Sequence, residues 1–203
     1  MGDIVRNLQH EVARLKDENQ ALRDEAASLR GYVGAIESLM DAVDELNPQA
    51  EIVPLLDRIL YNAMIVTTSK DGSLMVVDDD AHELAFVHAR GEVSTDKLAG
   101  QRLPLGKGIA GWVAQNGKPA IVDNARTDTR FFPGIDDAFR FTTNSVLAAP
   151  IIGNGQVLGV IEVLNKLNGK PYGQADLMLL SLLCRFAGDV LQTMAEQEET
   201  KPA

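Results

Sequence analysis

The chain has 203 residues, one cysteine and a formal net charge of -10 that is spread over both halves. Nucleic acids and anionic membranes bind clustered Lys and Arg, so neither is expected as a partner. The sequence contains no apolar run of 18 residues and no signal peptide, which predicts a cytoplasmic protein. Because Cys184 stands alone, we expect neither an intrachain disulfide nor a cysteine-cluster metal site.

Residues 1–46 carry apolar side chains at a seven-residue spacing. The d positions of this heptad are Leu8, Leu15, Leu22, Leu29, Ile36 and Val43, and the a positions are Val5, Val12, Asn19, Ala26, Val33 and Met40. A helix cannot bury so narrow an apolar seam by itself, so the pattern predicts a coiled coil.

Charges beside this seam predict a parallel homodimer. Acidic g positions face basic e positions when the chains run parallel and in register: Glu11, Glu18 and Glu25 with Lys16, Arg23 and Arg30. Asn19 favours the same arrangement, because a buried amide is paired only when it meets its own copy across a two-stranded seam.

A second unit follows the coiled coil. Asn47-Pro48 disfavours helix and predicts a linker at 47–51, a domain at 52–196 and a solvated tail at 197–203. A helix is predicted from 52 to about 68. A hairpin follows, with Asp71-Gly72 opening a strand at 73–77 and a second strand at 83–90.

The second half of the domain alternates strands with turns. Residues 103–117 predict a strand, a glycine turn and a short helix, without the spacing of a phosphate-binding loop. Strands are expected at 119–122, 145–152 and 156–165, with Pro150 at an edge or bulge. Glu162 interrupts an apolar run and, half-buried there, needs a partner that the sequence does not identify.

The last predicted helix, from about 174 to 196, is apolar on two sides. One stripe is expected to cover the domain's own sheet: Leu177, Leu180, Cys184, Ala187 and Leu191. The other is expected to pack on the partner chain: Leu179, Leu182, Phe186 and Val190.

Residues 52–195 resemble a GAF domain along their whole length. The phrases that carry the resemblance are Leu103-Pro-Leu-Gly-Lys-Gly-Ile-Ala-Gly-Trp-Val, Asp123-Asn-Ala with Asp128-Thr-Arg-Phe, and Leu158-Gly-Val-Ile-Glu-Val-Leu-Asn-Lys with Asp176. The resemblance implies an α+β fold, with a six-stranded antiparallel sheet and helices on both faces. The first and last helices cover one face, and short helices and loops cover a pocket on the other.

The resemblance also implies a salt bridge between Lys166 and Asp176 that supports the pocket. Cyclic-nucleotide-binding members carry Phe and Glu where this chain has Tyr172 and Leu177. That departure leaves the nucleotide unassigned, since many members bind other small molecules and some bind none.

No catalytic residue, metal site or cofactor is predicted. Free methionine sulfoxide reductases of this fold need more than one cysteine, and bilin photoreceptors need one beside the pocket, whereas Cys184 lies in the last helix. The three histidines, in the coiled coil, a turn and a strand, match no hydrolytic triad.

We therefore expect a homodimeric sensory protein of signal transduction, with no output domain among these residues, whose domain binds a cyclic nucleotide or other metabolite. The residues expected at the ligand are Ile109, Gly111, Asp123, Thr127, Asp128, Phe131, Phe132 and Ser145. Alternatively, Asp123 and Thr127 cap turns, the two phenylalanines fill the core, and the protein is a ligand-free scaffold that recruits a protein partner.

Overall fold

The computed structural model describes residues 2–44, 52–167 and 169–199. The predicted linker at 47–51 and the last four residues of the predicted tail lie outside them. The elements, in chain order, are α1 (Gly2–Asp44), α2 (Ile52–Thr67), β1 (Ser69–Asp78), β2 (Glu83–Arg90), α3 (Thr95–Leu98), β3 (Arg102–Pro104), α4 (Gly108–Asn116), β4 (Ala120–Val122), a 3-10 helix (Ala125–Thr127), α5 (Gly134–Phe139), β5 (Val146–Gly153), β6 (Gln156–Lys166) and α6 (Gln174–Glu199).

α1 is one continuous helix of 43 residues. In the single chain its predicted contact residues are exposed: Leu8, Leu15, Asn19, Leu22 and Leu29. The side chain of Ile36 lies outside the described ones. Arg14 binds Glu11 at 2.7 Å and Glu18 at 3.4 Å within the same helix, so these glutamates have an intrachain partner. The coiled coil and its orientation stay predictions.

The six strands form one antiparallel sheet, as predicted, and their order is β3-β2-β1-β6-β5-β4. β4 pairs only with the first three residues of β5. Pro150 lies beyond that pairing, beside a register shift between Ile151 and Ile152, so its prediction as an edge or bulged residue is confirmed.

β1 begins earlier than the sequence pattern indicated. The strand starts at Ser69, so Asp71 and Gly72 lie inside it, and their prediction as an opening turn was wrong. A Cβ on Gly72 would lie 3.0 Å from Met64 Cγ and 3.1 Å from Leu60 Cδ1. Gly72 thus lies where α2 packs closely on the sheet, and not in a turn.

Helices cover both faces of the sheet, which confirms the predicted α+β fold. α2 and α6 pack on one face, which we call the helical face. Its largest fully buried side chains include Ile59, Leu60, Leu74, Leu147, Ile151, Ile161 and Leu180. On the other face lie α4, the 3-10 helix, α5 and their connecting loops, residues 105–119 and 123–144, which we call the roof.

α6 shows which predicted stripe covers the sheet. Its core-facing residues are buried as predicted: Leu180, Cys184 and Ala187. In the other stripe Leu182 is 49% exposed, and Leu179 and Phe186 are half-buried. Val190 is buried in the domain's own core, because it lies two turns after the buried Leu183 on the same side of the helix.

α6 touches β5 through backbone atoms. A Cβ on Gly188 would lie 2.1 Å from the carbonyl oxygen of Ile152. Only glycine fits at this crossing, so the backbones of α6 and β5 are in close contact there.

Candidate functional site

A cavity of about 100 Å³ lies between the sheet and the roof. Its walls are mainly apolar and include four phenylalanines: Phe86, Phe131, Phe132 and Phe141. Its polar lining consists of Asp71, Ser73, Arg90, Asp136, Thr143 and Glu162. A mainly apolar cavity with a few convergent polar groups is the usual form of a small-molecule site.

Glu162 reaches this cavity through strand alternation. Its neighbours Ile161 and Val163 are buried on the helical face, and side chains alternate along a strand, so Glu162 faces the roof. It lies in the middle of the sheet, between Ser73 of β1 and Ala148 of β5. The residue that interrupted the apolar pattern is therefore part of the cavity floor.

The pKa of Glu162 is raised to about 7, and burial is the largest cause. The negative charge of Asp136 contributes to this rise, while a hydrogen bond from the Ala110 backbone N–H, near the start of α4, opposes it. At neutral pH the carboxyl group is thus divided between its neutral and ionised forms.

Asp136 fastens the roof beside this carboxyl group. Its side chain is 5% exposed and accepts hydrogen bonds from Arg126 Nη2 at 2.8 Å, Thr143 Oγ1 at 2.7 Å and Thr143 N at 2.9 Å. These bonds join α5 to the 3-10 helix before it and to the segment that leads into β5. Asp136 therefore has a full set of protein partners.

The two roof phenylalanines are held from outside by cations. Lys107 Nζ lies 3.8 Å from the centre of the Phe132 ring, and the Arg126 guanidinium lies 5.3 Å from that of Phe131. Such contacts stabilise a ring by roughly 0.5–1 kcal/mol at exposed sites. The roof thus has stabilising contacts of its own.

A further contact links α4 to the roof loop. Arg130 donates to Asp128 at 2.9 and 2.7 Å and lies 4.6 Å from the Trp112 ring centre. These hydrogen bonds hold the pKa of the Asp128 carboxyl below its usual range. Asp128 therefore orients Arg130 and does not face the cavity.

Of the eight predicted ligand residues, Ile109, Phe131 and Phe132 line the cavity. Gly111 does not, because it packs against β3: a Cβ there would lie 2.8 Å from the Pro104 carbonyl oxygen. Thr127 closes a turn by donating to the Asn124 carbonyl at 3.1 Å.

Asp123 and Ser145 line a separate groove of about 640 Å³. This groove is larger than the cavity, but most of its lining residues are exposed to solvent. Two of its lysines already bind carboxylates, Lys70 binding Glu92 and Lys166 binding Asp176. The cavity is for these reasons the better candidate site.

The predicted salt bridge between Lys166 and Asp176 is present at 2.5 Å. Asp176 also accepts from Gly173 N at 2.7 Å, so the pair ties the end of β6 to the start of α6. Tyr172 is buried, and its hydroxyl lies 2.8 Å from Ser69 Oγ. Lys166 lines the groove, and neither Lys166 nor Asp176 lines the cavity.

Sequence reasoning did not identify several cavity residues, among them Ser73, Phe86, Asp136, Phe141 and Thr143. For Ser73 and Phe86 a signal existed, since both fall on the roof side of alternating strands. Asp136 and Thr143 gave none, because their pairing depends on the fold of the roof.

Two kinds of site find no support in the described part of the chain. No group of three His, Cys, Asp or Glu residues there is arranged to hold a metal ion. Among the same residues, no helix has both the length and the apolar character needed to span a bilayer.

The comparisons with known proteins agree with this architecture. The chain is 29% identical over 172 residues to the dual 3',5'-cyclic-AMP and -GMP phosphodiesterase 11 of Drosophila melanogaster, covering 78% of this chain and 12% of that protein. It thus spans only a small part of that relative.

Two solved structures have the same fold. The GAF domain of a phosphoenolpyruvate-protein phosphotransferase from Coxiella burnetii matches with a TM-score of 0.69 at 17% identity, over 83% of this chain and 98% of that one. A free methionine-R-sulfoxide reductase from Neisseria meningitidis matches with 0.66 at 15% identity, over 82% and 91%. The family model for the GAF domain matches residues 50–192, and the chain therefore belongs to the GAF domain family.

Proposed function

We propose that this protein is a homodimeric regulatory module that binds a small molecule in the cavity and transmits its occupancy to the helices of the dimer. The observation that carries the proposal is the phenylalanine-lined cavity with a carboxyl group on its floor. Burying a carboxyl group that is partly ionised costs free energy, so a side chain that only filled the core would be expected to be apolar at this position. The similarity to phosphodiesterases that act on cyclic nucleotides supports a sensory role for this domain.

A physical link from the cavity to α2 supports the transmission step. Arg90 lines the cavity, and its guanidinium group donates two hydrogen bonds to Asp57 of α2. The same group lies 5.1 Å from the Tyr61 ring centre, one turn along α2. A ligand that displaces Arg90 would therefore act on the helix that follows α1.

A homodimer is supported by apolar surface that the single chain leaves uncovered. Besides the exposed seam of α1, the adjacent helices α2 and α6 expose Tyr61, Ile65, Met178 and Leu182. Within each helix the two exposed residues are four apart and so lie on one side. A second copy of the chain would cover both surfaces.

We expect a binding role without catalysis. Cys184 is fully buried, its thiol lies 3.5 Å from the Ala149 carbonyl oxygen, and burial raises its pKa. A thiol that is neutral and inaccessible is a poor nucleophile.

Native mass spectrometry of freshly purified protein tests the proposal, followed by thermal shifts with cyclic mononucleotides, cyclic dinucleotides, amino acids, amines and oxoacids. A bound molecule should stabilise the fold by about 3 kcal/mol at a hundredfold excess over its Kd. Phe132→Ala should abolish that gain, whereas Phe139→Ala, on α5 but outside the cavity lining, should keep it. No retained molecule and no shift with any compound would reject the proposal.

Light scattering tests the dimer. Wild type should have the mass of two chains at micromolar concentration. Asn19→Val should raise thermal stability and admit higher oligomers, because it removes a buried amide that specifies two strands. A monomeric wild type would end this part of the proposal.

A ligand-free scaffold is the second candidate. It is favoured by the small cavity, since about 100 Å³ lies below the roughly 300–1,000 Å³ of common ligand pockets. In that case Phe132→Ala should only destabilise the fold, and no compound should distinguish it from wild type.

A further inference from the structure

We propose that the cavity takes a small organic cation, an amine whose ammonium group lies against the Glu162 carboxylate and among the phenylalanine rings. This inference rests on the proposed function and specifies its ligand class. This ligand class differs in charge from the cyclic nucleotides, which are anions and are named as substrates of the phosphodiesterase relative.

Charge is the first argument. Three carboxyl groups line the cavity, those of Asp71, Asp136 and Glu162, against one guanidinium group, that of Arg90. Arg90 is already paired in a two-pronged contact with Asp57. A phosphate group would meet an excess of negative charge with no uncommitted lining cation, whereas an ammonium group would be attracted.

The second argument concerns the hydrogen-bond partners of these three carboxyl groups. Asp71 accepts from Glu92 N at 2.8 Å and from Asn165 Nδ2 at 3.1 Å, and Asp136 is bound by Arg126 and Thr143. Within the described residues, Glu162 has only the Ala110 N–H. A carboxylate can accept several hydrogen bonds, so Glu162 keeps acceptor positions open toward the cavity.

Aromatic rings supply the third argument. The faces of Phe131 and Phe132 carry Arg126 and Lys107 on the outside of the roof. Phe86 and Phe141 line the same cavity, and no cation of the described chain lies over either ring. The negative face of such a ring attracts an alkylammonium group that has left water.

Binding should then depend on pH. The other charged groups that line the cavity are Asp136 from α5, Asp71 from β1 and Arg90 from β2, and of these Asp136 acts on the pKa of Glu162. From α4 Glu162 meets a backbone N–H, and its neighbours on β5 are apolar, namely Val146 and Ala148. The pKa of Glu162 in the empty cavity is about 7. An ammonium ion binds the ionised form, so its affinity should fall about tenfold from pH 8 to pH 6, with release of a proton on binding.

The test uses two sets of probes that match in shape and differ in charge, on the full chain. The first is benzylammonium, benzyl alcohol and benzoate, and the second is butylammonium, butanol and butyrate. Calorimetric titration at pH 8 should detect binding of an ammonium member at least tenfold tighter than its alcohol and carboxylate counterparts. Glu162→Gln should weaken it about tenfold, as loss of a charge-assisted hydrogen bond predicts, while Asp79→Asn, which removes an exposed charge from the β1–β2 turn, should leave it unchanged.

The pH profile of wild-type affinity provides a second measurement if Glu162→Gln does not fold. Equal binding of the alcohol, tighter binding of the carboxylate, a flat pH profile, or no binding of either ammonium ion at 10 mM would each overturn the inference. If a cyclic nucleotide stabilises the protein while both ammonium ions fail, the sensor proposal stands and only its ligand class is wrong.

Discussion

The same strands give the two faces of the sheet different chemistry. On β6, Ile161 and Val163 are fully buried under α2 and α6, while Glu162 between them faces the cavity. The hydroxyl of Tyr172, which is buried in the core of the helical face, has a partner in Ser69 Oγ. The roof side keeps a carboxyl group whose partners are incomplete. The helical face therefore stabilises the fold, whereas the carboxyl group on the roof side lowers stability and leaves hydrogen-bond acceptors for a ligand.

Truncation of the helical face should have the largest effect. Leu60 is fully buried there, and Leu60→Ala should lower the free energy of unfolding by about 2–5 kcal/mol through lost burial and a residual cavity. Leu167→Ala, the same change at a residue that is 65% exposed, should change it by no more than about 0.5 kcal/mol. Urea denaturation measures both, and equal effects would contradict the comparison.

On the roof side, the titration of Glu162 should make the free energy of unfolding depend on pH. The pKa of Glu162 in the folded protein, about 7, lies above the unfolded value of 4.5. Its contribution to stability is therefore complete below pH 4.5 and is lost as the pH rises through 7. By pH 8 the loss should reach roughly 3 kcal/mol, at about 1.4 kcal/mol per pKa unit.

Glu162→Gln removes this titration. The stability of the variant relative to wild type should therefore rise by about 2.5 kcal/mol between pH 5 and pH 8, because a small part of the loss has already occurred at pH 5. Urea denaturation at the two pH values measures it, and Asp79→Asn serves as the control for a change in net charge. Parallel pH profiles for wild type and Glu162→Gln would show that the carboxyl group is not desolvated.

Loosening the roof should have a smaller and more local effect. Arg130→Ala removes two hydrogen bonds to Asp128 and a contact with Trp112, at an expected cost of about 1–2 kcal/mol. Amide hydrogen exchange should accelerate in the roof more than in β1 and β6. Arg130→Lys should recover only part of the stability, because an ammonium group cannot form the two-pronged contact. Uniform acceleration across the sheet would argue against an independent roof.

The smallest effect is expected at Tyr172 on the helical face. Tyr172→Phe removes the bond to Ser69 Oγ, which keeps its contact with Thr67 Oγ1 at 2.7 Å, so the cost should be about 0.5–1 kcal/mol. Tyr61→Phe, at a 48% exposed position, is the control and should be neutral. Thermal denaturation measures both. A cost above about 2 kcal/mol would show that the helical face also depends on this polar group.

Most of the fold could be predicted because it is encoded locally. Alternation of apolar residues and turn chemistry located five of the six strands within a few residues and the sixth at the start of the 103–117 segment. The start of β1 was missed because Asp71-Gly72 has the composition of a turn, although Gly72 lies within the strand, against side chains of α2. α3 and α5 have four and six residues, too few for a helical period to be detected.

The candidate site was less predictable because it depends on contacts between distant segments. Phe131 and Phe132 could be assigned to the roof from their place after a polar loop. Asp123 is close to them in sequence, yet it lies in the separate groove with Ser145. Glu162 stood out as a polar residue in an apolar run, but its proximity to Ala110 and Asp136 follows only from the folding of the roof over the sheet.

The backbone contact at Gly188 restricts how α6 can move. A helix pressed against a strand carbonyl cannot slide along the sheet or come closer, so its remaining freedom is a tilt about this point. From Gly188 to Glu199 the helix extends about 16 Å, and a tilt of about 5° would displace its end by about 1.4 Å. α6 would thus pivot at Gly188, and a tilt too small to alter the packing of the sheet core would still displace the far end of the helix.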